Sequence, residues 1–500
     1  MYLSKSKYCL GVQCDKILWL DKHSPEERIE TSNQAVLDNG TEVGECAKNL
    51  FGFHIDVNFS ENLSSMIDDT EKLLKLEKVV ITEASFVYEN NFCSVDILKK
   101  DGNSYEIYEV KSSTSVHDIY LDDISYQTYV LLGLGYNVKK CSIVHINSNY
   151  VRKGNLDLNE LFKIEDVTDI VFSKQDEVEN KIKEINKYMA DEREKDEPLG
   201  IHCFEPYECP YFNYCTGHLP KENIFKVKRM RNKDKFKYYD KGIITYEDLL
   251  KEDIDDKLKL QIDYELNNRE PLIHKDKIND FLSTLSYPLY FLDFETYQET
   301  IPKYDGIRPY QQIPFQYSLH YYEKDNGPLY HKEFLSEPDI DPRRSLAEKL
   351  VEDIPMNVCT LAYNMSFEKT VIKNLAYLFP DLKEHLLNIH DNIKDLMIVF
   401  KNMDYYDKNM HGSFSIKYVL PALFPDEEEL NYQNLEGVHN GSEAMNSFAN
   451  MGNLSLDEQN VLRNNLLEYC KLDTYAMVKI YDRLKEVTKL KNKVKVLEKN

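Results

Sequence analysis

Two carboxylates one residue apart, Asp293 and Glu295, close the apolar run "YPLYFLDFETYQET" at residues 287–300. A run this rich in aromatic residues reads as a buried strand. Side chains alternate along a strand, so Phe291, Asp293 and Glu295 share one face, and Tyr290, Leu292 and Phe294 the other. Adjacent acids in such a setting lose hydration and repel each other unless a cation or hydrogen-bond donors compensate. A divalent metal site accounts for the pair; the alternative is a strand that simply ends in solvent. The metal reading gains weight if further acids can converge on the pair, and two are in place to do so. "LAYNMSFEKTVIKNLA" puts Glu368 at the start of a helix that follows a strand. "LLEYCKLDTYAMVKIYDRL" puts Tyr469 and Asp473 four apart, on one helix face.

A second set lies nearer the N-terminus. "CSVDILKKDGNSYEIYEVKSS" reads as a β-hairpin turning at "KDGNS", with Asp96 on its first strand and Glu109 and Lys111 on its second. Glu109 and Lys111 share a face, and hairpin pairing can bring Asp96 beside them. An Asp and a Glu can hold a divalent ion, while the Lys can stabilise charge developing on a phosphate. "DISYQTYVLLGLGY" then reads as a helix presenting Gln127. The plainer reading is a charged surface hairpin.

Cys203, Cys209 and Cys215 fall within thirteen residues, in "HCFEPYECPYFNYC", and Cys9 and Cys14 lie near the start. Three thiols this close suggest a metal or iron-sulfur site with a fourth ligand from elsewhere. Cys46, Cys93, Cys141, Cys359 and Cys470 stand in apolar context and read as core. "FKVKRMRNKDKFKYY", residues 225–239, interleaves Lys226, Lys228, Arg229, Arg231, Lys233, Lys235 and Lys237 with Phe225, Phe236, Tyr238 and Tyr239. Cations for phosphates and aromatic faces for bases are the parts of a single-strand track. A solvated linker helix is the alternative.

Asp-x12-Glu-x-Lys is the pattern of the PD-(D/E)xK nucleases. The opening "LGVQCDKILWL", "EVGECAKNLF" at 42–51, Asp96, "EVK", Gln127 and the trailing cysteines follow the order found in RecB-like iron-sulfur nucleases. Those include the AddB nuclease domain and the CRISPR-associated adaptation exonucleases. The resemblance covers about residues 1–220 and implies Cys14, Cys203, Cys209 and Cys215 as ligands of a 4Fe-4S cluster. Zinc is the alternative, with His202 as a substitute ligand. "GECAKNLF" lacks the histidine that many of these nucleases carry, leaving Glu83 or Glu45 to replace it. D-x-E on a strand, N-x-x-F-acid before a helix and Y-x-x-x-D on a late helix form the DEDDy pattern of RNase H-like 3′–5′ exonucleases. That resemblance, over about residues 285–488, implies Asp293, Glu295, Glu368 and Asp473 as ligands of two Mg²⁺ or Mn²⁺ ions, with Tyr469 positioning the attacking water. Glu368 stands where Asp is usual. Asp395 and "GSFSIKYVLPALF" fall where such proteins carry a secondary acid and a helix lining the site. Together the two halves resemble a bacterial family of uncharacterised proteins joining these nuclease domains.

A chain of 500 residues allows two to four domains, and 42% hydrophobic with 30% charged residues describes a soluble globular protein. No signal peptide or membrane span is evident, so a cytoplasmic location is expected. The formal net charge of −24 repels nucleic acid at long range, so local patches must do any binding. The expected architecture is α/β multidomain. It comprises a restriction-endonuclease-like nuclease domain at 1–220, a helical basic connector at 221–284, and an RNase H-like exonuclease domain at 285–490. The expected activity is Mg²⁺- or Mn²⁺-dependent phosphodiester hydrolysis, on DNA ahead of RNA and on ends or single strands. The competing expectation is a nucleic-acid-binding or defence-complex scaffold in which one or both sites are inactive.

Overall fold

The computed structural model describes residues 2–29 and 34–489, the side chains of 34–39 excepted. The chain is mixed α/β and divides into two compact units, Met1–Leu219 with Glu299–Gln311, and Pro220–Gln298 with Gln312–Asn500. Among the described residues no helix is long and apolar enough to cross a membrane.

The first unit is built on a seven-stranded sheet. Its strands are β1 (Leu3–Ser4), β2 (Ile55–Asp56), β3 (Lys78–Tyr88), β4 (Asn91–Asp101), β5 (Ser104–Lys111), β6 (Val138–Ile146) and β7 (Phe162–Asp166). They run in the order β2-β3-β4-β5-β6-β7, with β1 alongside β4. The expected hairpin is β4–β5, antiparallel and closed at Asp101 and Ser104 around Gly102, whose φ of +57° suits a residue without Cβ. From β5 the chain crosses to the parallel β6 through the helix Asp118–Gly133. That helix buries Ile124, Tyr126, Val130 and Leu131 in the main core, together with Ile81, Val95, Ile107 and Ile143 from the sheet. A crossover of this kind leaves the end of β5 and the helix's first turns facing each other, which is where acids can meet.

The second unit holds β8 (Leu272–Ile273), β9 (Leu289–Tyr297), β10 (Ile313–Tyr322), β11 (Leu329–Leu335), β12 (Cys359–Ala362), β13 (Ile393–Asp395) and β14 (Tyr405–Tyr406). The main sheet runs β11-β10-β9-β12-β13; β9 to β11 pair antiparallel, and β9, β12 and β13 pair parallel. The alternation read from the sequence is present in β9. Tyr290, Leu292 and Phe294 pack into a core with Leu346, Leu350, Val371 and Ile372, while Phe291 meets Tyr481 of the long helix Leu456–Lys489 on the opposite face. That helix is tied to the sheet by Gln316 Nε2 donating to the Leu466 carbonyl at 2.7 Å and by Ser318 and Thr474 hydroxyls 2.7 Å apart.

Residues 221–284 are helical, as expected, but are grouped with the second unit rather than standing as a connector. Ile224, Val227, Tyr246, Leu249, Ile254 and Ile262 form a buried cluster of their own, and β8 pairs with β14. Residues 299–311, between β9 and β10, belong to the first unit, which the sequence reading did not foresee. There Arg152 exchanges backbone hydrogen bonds with Gly306 and Ile307.

Candidate functional site

In the second unit the D-x-E pair lies on the central strand of the sheet. Asp293 is opposite Ser318 and Glu295 opposite Gln316, just before the register shifts between Pro314 and Gln316. Glu295 is 8% exposed. Glu368 arrives from the first turn of the helix Met365–Leu378, which starts after β12 at Asn364, in left-handed conformation with φ +76°. The Asp395 carboxylate accepts from the Asn364 and Met397 amides at 3.1 and 3.0 Å, so the secondary acid fixes the turn that aims Glu368. Asp473 and Tyr469 come from the long helix, and the Tyr469 hydroxyl hydrogen-bonds Asp473. The five expected residues are thus brought together.

The acids of this cluster raise one another. Burial, then Asp473, Glu295 and Glu368, pushes the Asp293 carboxyl well above the ordinary carboxylate range. Burial and Asp473 do the same to Glu295. Burial raises Glu368 to about 8 and Asp473 to about 6. Glu368 is 2% exposed, and among the described residues its Oε2 has no hydrogen-bond partner. A buried carboxylate oxygen without a donor is costly, and neighbouring carboxylates are the donor type that a hard divalent ion takes. The residues therefore fit the expected ions.

Three contributors escaped the sequence reading. Tyr432 donates to Asp473 Oδ1 at 2.6 Å. The Lys417 ammonium acts on both Glu295 and Asp473 and lines, with Phe424, Tyr432, His439 and Asn440, a groove of about 400 Å³. Cys470, read as core, is fully buried, yet its Sγ lies 3.9 Å from Asp293 Oδ2. The helix expected from "GSFSIKYVLPALF" is Ile416–Leu423 and carries Lys417; a lone Lys in an apolar helix was the available signal.

In the first unit Asp96, Glu109, Lys111 and Gln127 also converge. Asp96 Oδ2 accepts from the Val110 amide at 2.8 Å, which draws it across the hairpin toward Glu109. Glu109 is 1% exposed; its carboxylate takes Lys111 Nζ at 2.6 Å and Gln127 Nε2 at 2.7 Å. Asp123, one helical turn before Gln127, completes the set, accepting from Lys111 at 2.6 Å and Gln127 at 2.9 Å. Unlike the second cluster, this one contains its own bridging cation. Lys5 Nζ lies 3.1 Å from Asp96 Oδ1 and 3.1 and 3.2 Å from the two Glu109 oxygens. Burial pulls the Lys5 and Lys111 ammonium groups down, but the surrounding acids win and hold both well above the ordinary lysine value.

Of the two acids offered in place of the missing histidine, Glu83 is at the site and Glu45 is not. Glu83 faces Asp96 across a break in the β3–β4 ladder, at φ +56°, and burial followed by Asp96 raises it to about 7. A non-glycine residue held there stores strain, which clusters at functional sites. Glu45 is an exposed partner of Lys48.

Cys14, Cys203, Cys209 and Cys215 lie in one region of the first unit, near enough to act on one another's charge, though no three of their sulfurs come within 4.8 Å of one another. Cys14 separates the helices Lys5–Gln13 and Asp15–His23. Cys203, Cys209 and Cys215 sit in a loop that closes through the Cys209 amide on the Cys203 carbonyl at 2.8 Å. Burial raises all four thiols; Cys14 feels Cys215, Cys203 feels Cys14, Cys209 feels the other three, and Cys215 feels Cys203. Gln13 donates to the His202 and Tyr207 carbonyls at 2.8 and 2.7 Å, fastening the loop to the first helix.

The basic segment is partly anchored and partly exposed. Arg229 is half-buried and donates to the carbonyls of Gly412, Lys401 and Phe400, and Lys235 Nζ donates to the Phe225 carbonyl at 2.9 Å. Phe225, Phe236 and Tyr239 pack on one another instead of lining a track, because a short helix must bury an apolar face. Lys226, Lys228, Arg231, Lys233 and Lys237 remain exposed, Arg231 paired with Asp234.

A family model described as a domain of unknown function, DUF2779, matches residues 290–415. The stretch holds Asp293, Glu295, Glu368 and Asp395 but stops short of Lys417, Tyr469 and Asp473. No curated protein and no solved structure matches the chain.

Proposed function

We propose that the chain is a metal-dependent nuclease whose second unit shortens nucleic acid from the 3′ end, single-stranded DNA ahead of RNA. The observation that carries this is the convergence of Asp293, Glu295, Glu368 and Asp473, from three separate elements, into a cluster of raised carboxyls, Glu295 and Glu368 buried and Asp293 and Asp473 half-buried. The order β11-β10-β9-β12-β13 supports an RNase H-like sheet, and the β4–β5 hairpin, crossover helix and parallel β6 support a PD-(D/E)xK core. The four carboxylates would hold Mg²⁺ or Mn²⁺, which supplies an activated water and a stabilised leaving oxygen. Tyr469 orients the attacking water. Burial and the neighbouring acids hold its phenol far above the ordinary tyrosine value, so it acts as a neutral donor. Lys417, at the groove, draws the phosphate toward the acids.

In the first unit Asp96 and Glu109 would hold an ion of the same kind, with Lys111 stabilising charge on the phosphate and Gln127 locking Glu109. Lys5 supports a second reading for this unit alone. Its ammonium bridges the two acids and offsets one of their two charges, which suits a site that binds nucleic acid without cutting it. Cys14, Cys203, Cys209 and Cys215 would hold a 4Fe-4S cluster or Zn²⁺ that staples the first helices to the loop after residue 200.

The test is an assay of anaerobically purified protein with Mn²⁺ on 5′- and 3′-labelled single-stranded DNA and RNA. Stepwise loss from the 3′ end that disappears in Asp293→Ala supports the proposal. Cleavage unchanged in Asp293→Ala but lost in Asp96→Ala would move the chemistry to the first unit, and no metal-dependent cleavage at all would refute it.

A further inference from the structure

Among the described residues, one group of three potential ligand atoms lies within 4.8 Å of one another: carboxylate oxygens of Asp293 and Glu295, and the sulfur of Cys470. A thiol is out of place in a cluster built for a hard ion, because magnesium takes oxygen ligands whereas thiolates select softer metals such as zinc. We propose that Cys470 gives this cluster a soft ligand, so that a thiophilic divalent ion, Zn²⁺ or Cd²⁺, binds through sulfur and two carboxylates and blocks the site. The inference takes its consequence, arrested hydrolysis, from the function proposed above; the ligand set itself does not depend on it.

The geometry is close to what such an ion needs. Zinc bonds of about 2.3 Å to sulfur and about 2.1 Å to oxygen, at the tetrahedral angle, separate the two ligand atoms by roughly 3.6 Å. Cys470 Sγ stands 3.9 Å from Asp293 Oδ2, so a shift of a few tenths of an ångström suffices. Neither partner has to be recruited from a mobile segment. Asp293 is on the central strand, and Cys470 lies in the helix between two anchors, the Leu466 carbonyl bonded to Gln316 and the Thr474 hydroxyl bonded to Ser318. A fourth ligand is independently indicated: Glu368 is buried, acts on Asp293 through its charge, and among the described residues finds no hydrogen-bond partner for Oε2. On binding, the sulfur–metal bond forms as the S–H bond breaks, and the proton leaves to solvent.

The experiment uses the full chain carrying Asp96→Ala, which removes the first site's competing ligand. Bound Mn²⁺ is followed by electron paramagnetic resonance while Zn²⁺ is added, in this parent and with Cys470→Ser or Cys470→Ala added. The expected result is that half-displacement of Mn²⁺ needs about tenfold more Zn²⁺ in both cysteine variants, with Mn²⁺ affinity unchanged. Equal displacement in parent and variants would overturn the proposal, as would a parallel loss of Mn²⁺ affinity, which would make the thiol a packing element for either ion. If the parent binds no Mn²⁺, the hydrolytic reading fails instead. The thiol site is then judged by ¹¹³Cd resonance: a mixed sulfur–oxygen signal lost in Cys470→Ser upholds it, and its absence from the parent refutes it.

Discussion

Replacing Lys5 by methionine tests whether the first site is balanced by an internal ammonium. Lys5 Nζ is within 3.2 Å of three carboxylate oxygens on Asp96 and Glu109, and Glu109 is almost fully buried. Methionine keeps most of the side-chain volume and removes the charge. Taking one partner from a buried ion pair costs roughly 3–5 kcal/mol, because the other is left uncompensated. The Lys5 side chain retains 23% of its exposure, and Lys111 still faces Glu109, so the lower end, about 3 kcal/mol, is appropriate. For a unit of this size that lowers the unfolding midpoint by roughly 6–12 °C. The assay is thermal unfolding of wild type and Lys5→Met in EDTA and in Mn²⁺. In EDTA the variant's first-unit transition should fall by that amount. In Mn²⁺ it should recover more than the wild type gains, since an ion entering the variant displaces no ammonium. A variant that unfolds at the wild-type temperature in EDTA, or equal stabilisation of both proteins by Mn²⁺, would refute the reasoning.

The second site predicts an unusual pH dependence. Glu368, raised from 4.5 to about 8, and Asp473, raised from 3.8 to about 6, make the folded chain bind more protons than the unfolded chain across that window. Ion-free stability should therefore fall as pH rises from about 5 to about 8, and saturating Mn²⁺ should flatten or reverse the slope in melting curves, as the ion takes the place of the protons. Glu368→Asp, although it restores the residue usual in such sites, should lower cleavage about 100-fold, because retracting the carboxylate by about an ångström misplaces an ion the turn at Asn364 is built to meet. Steady-state kinetics reads this directly. Arg229→Ala, which frees three backbone carbonyls, should destabilise by about 1–3 kcal/mol in urea. Lys233→Ala should stay within about 0.5 kcal/mol and act, if at all, on the salt dependence of nucleic-acid binding.

The residues legible in the sequence were those set by local rules. Strand alternation placed Asp293 and Glu295 together, a two-residue turn placed Asp96 near Glu109, and helical spacing placed Tyr469 over Asp473. What stayed hidden depends on contacts distant along the chain. Lys5 is 91 residues from Asp96, and Tyr432 is 41 from Asp473, and nothing in their neighbours announces a role. Asp123 was readable in principle, being one turn before Gln127 on the same helix face, but an acid on an amphipathic helix has many plainer uses. The basic segment is ambiguous for a physical reason: cations interleaved with aromatics describe a nucleic-acid track and a short amphipathic helix equally well. In the fold Phe225 lies tilted against Phe236 and Tyr239.

The passage of residues 299–311 into the first unit bears on how the protein is made. Ile301 and Tyr310 pack against the cluster of Val43, Val144 and Phe162, so that core is incomplete without a segment encoded after β9. A ribosome that has finished Leu219 must add 92 more residues (311 − 219) before the last piece exists. At about 5–20 residues per second that is a wait of roughly 5–20 s. During it the nascent first unit carries an unfilled apolar notch, while β9 emerges without the strands that flank it. Synthesis thus interleaves the two units, and a stall between these points would present chaperones with both at once.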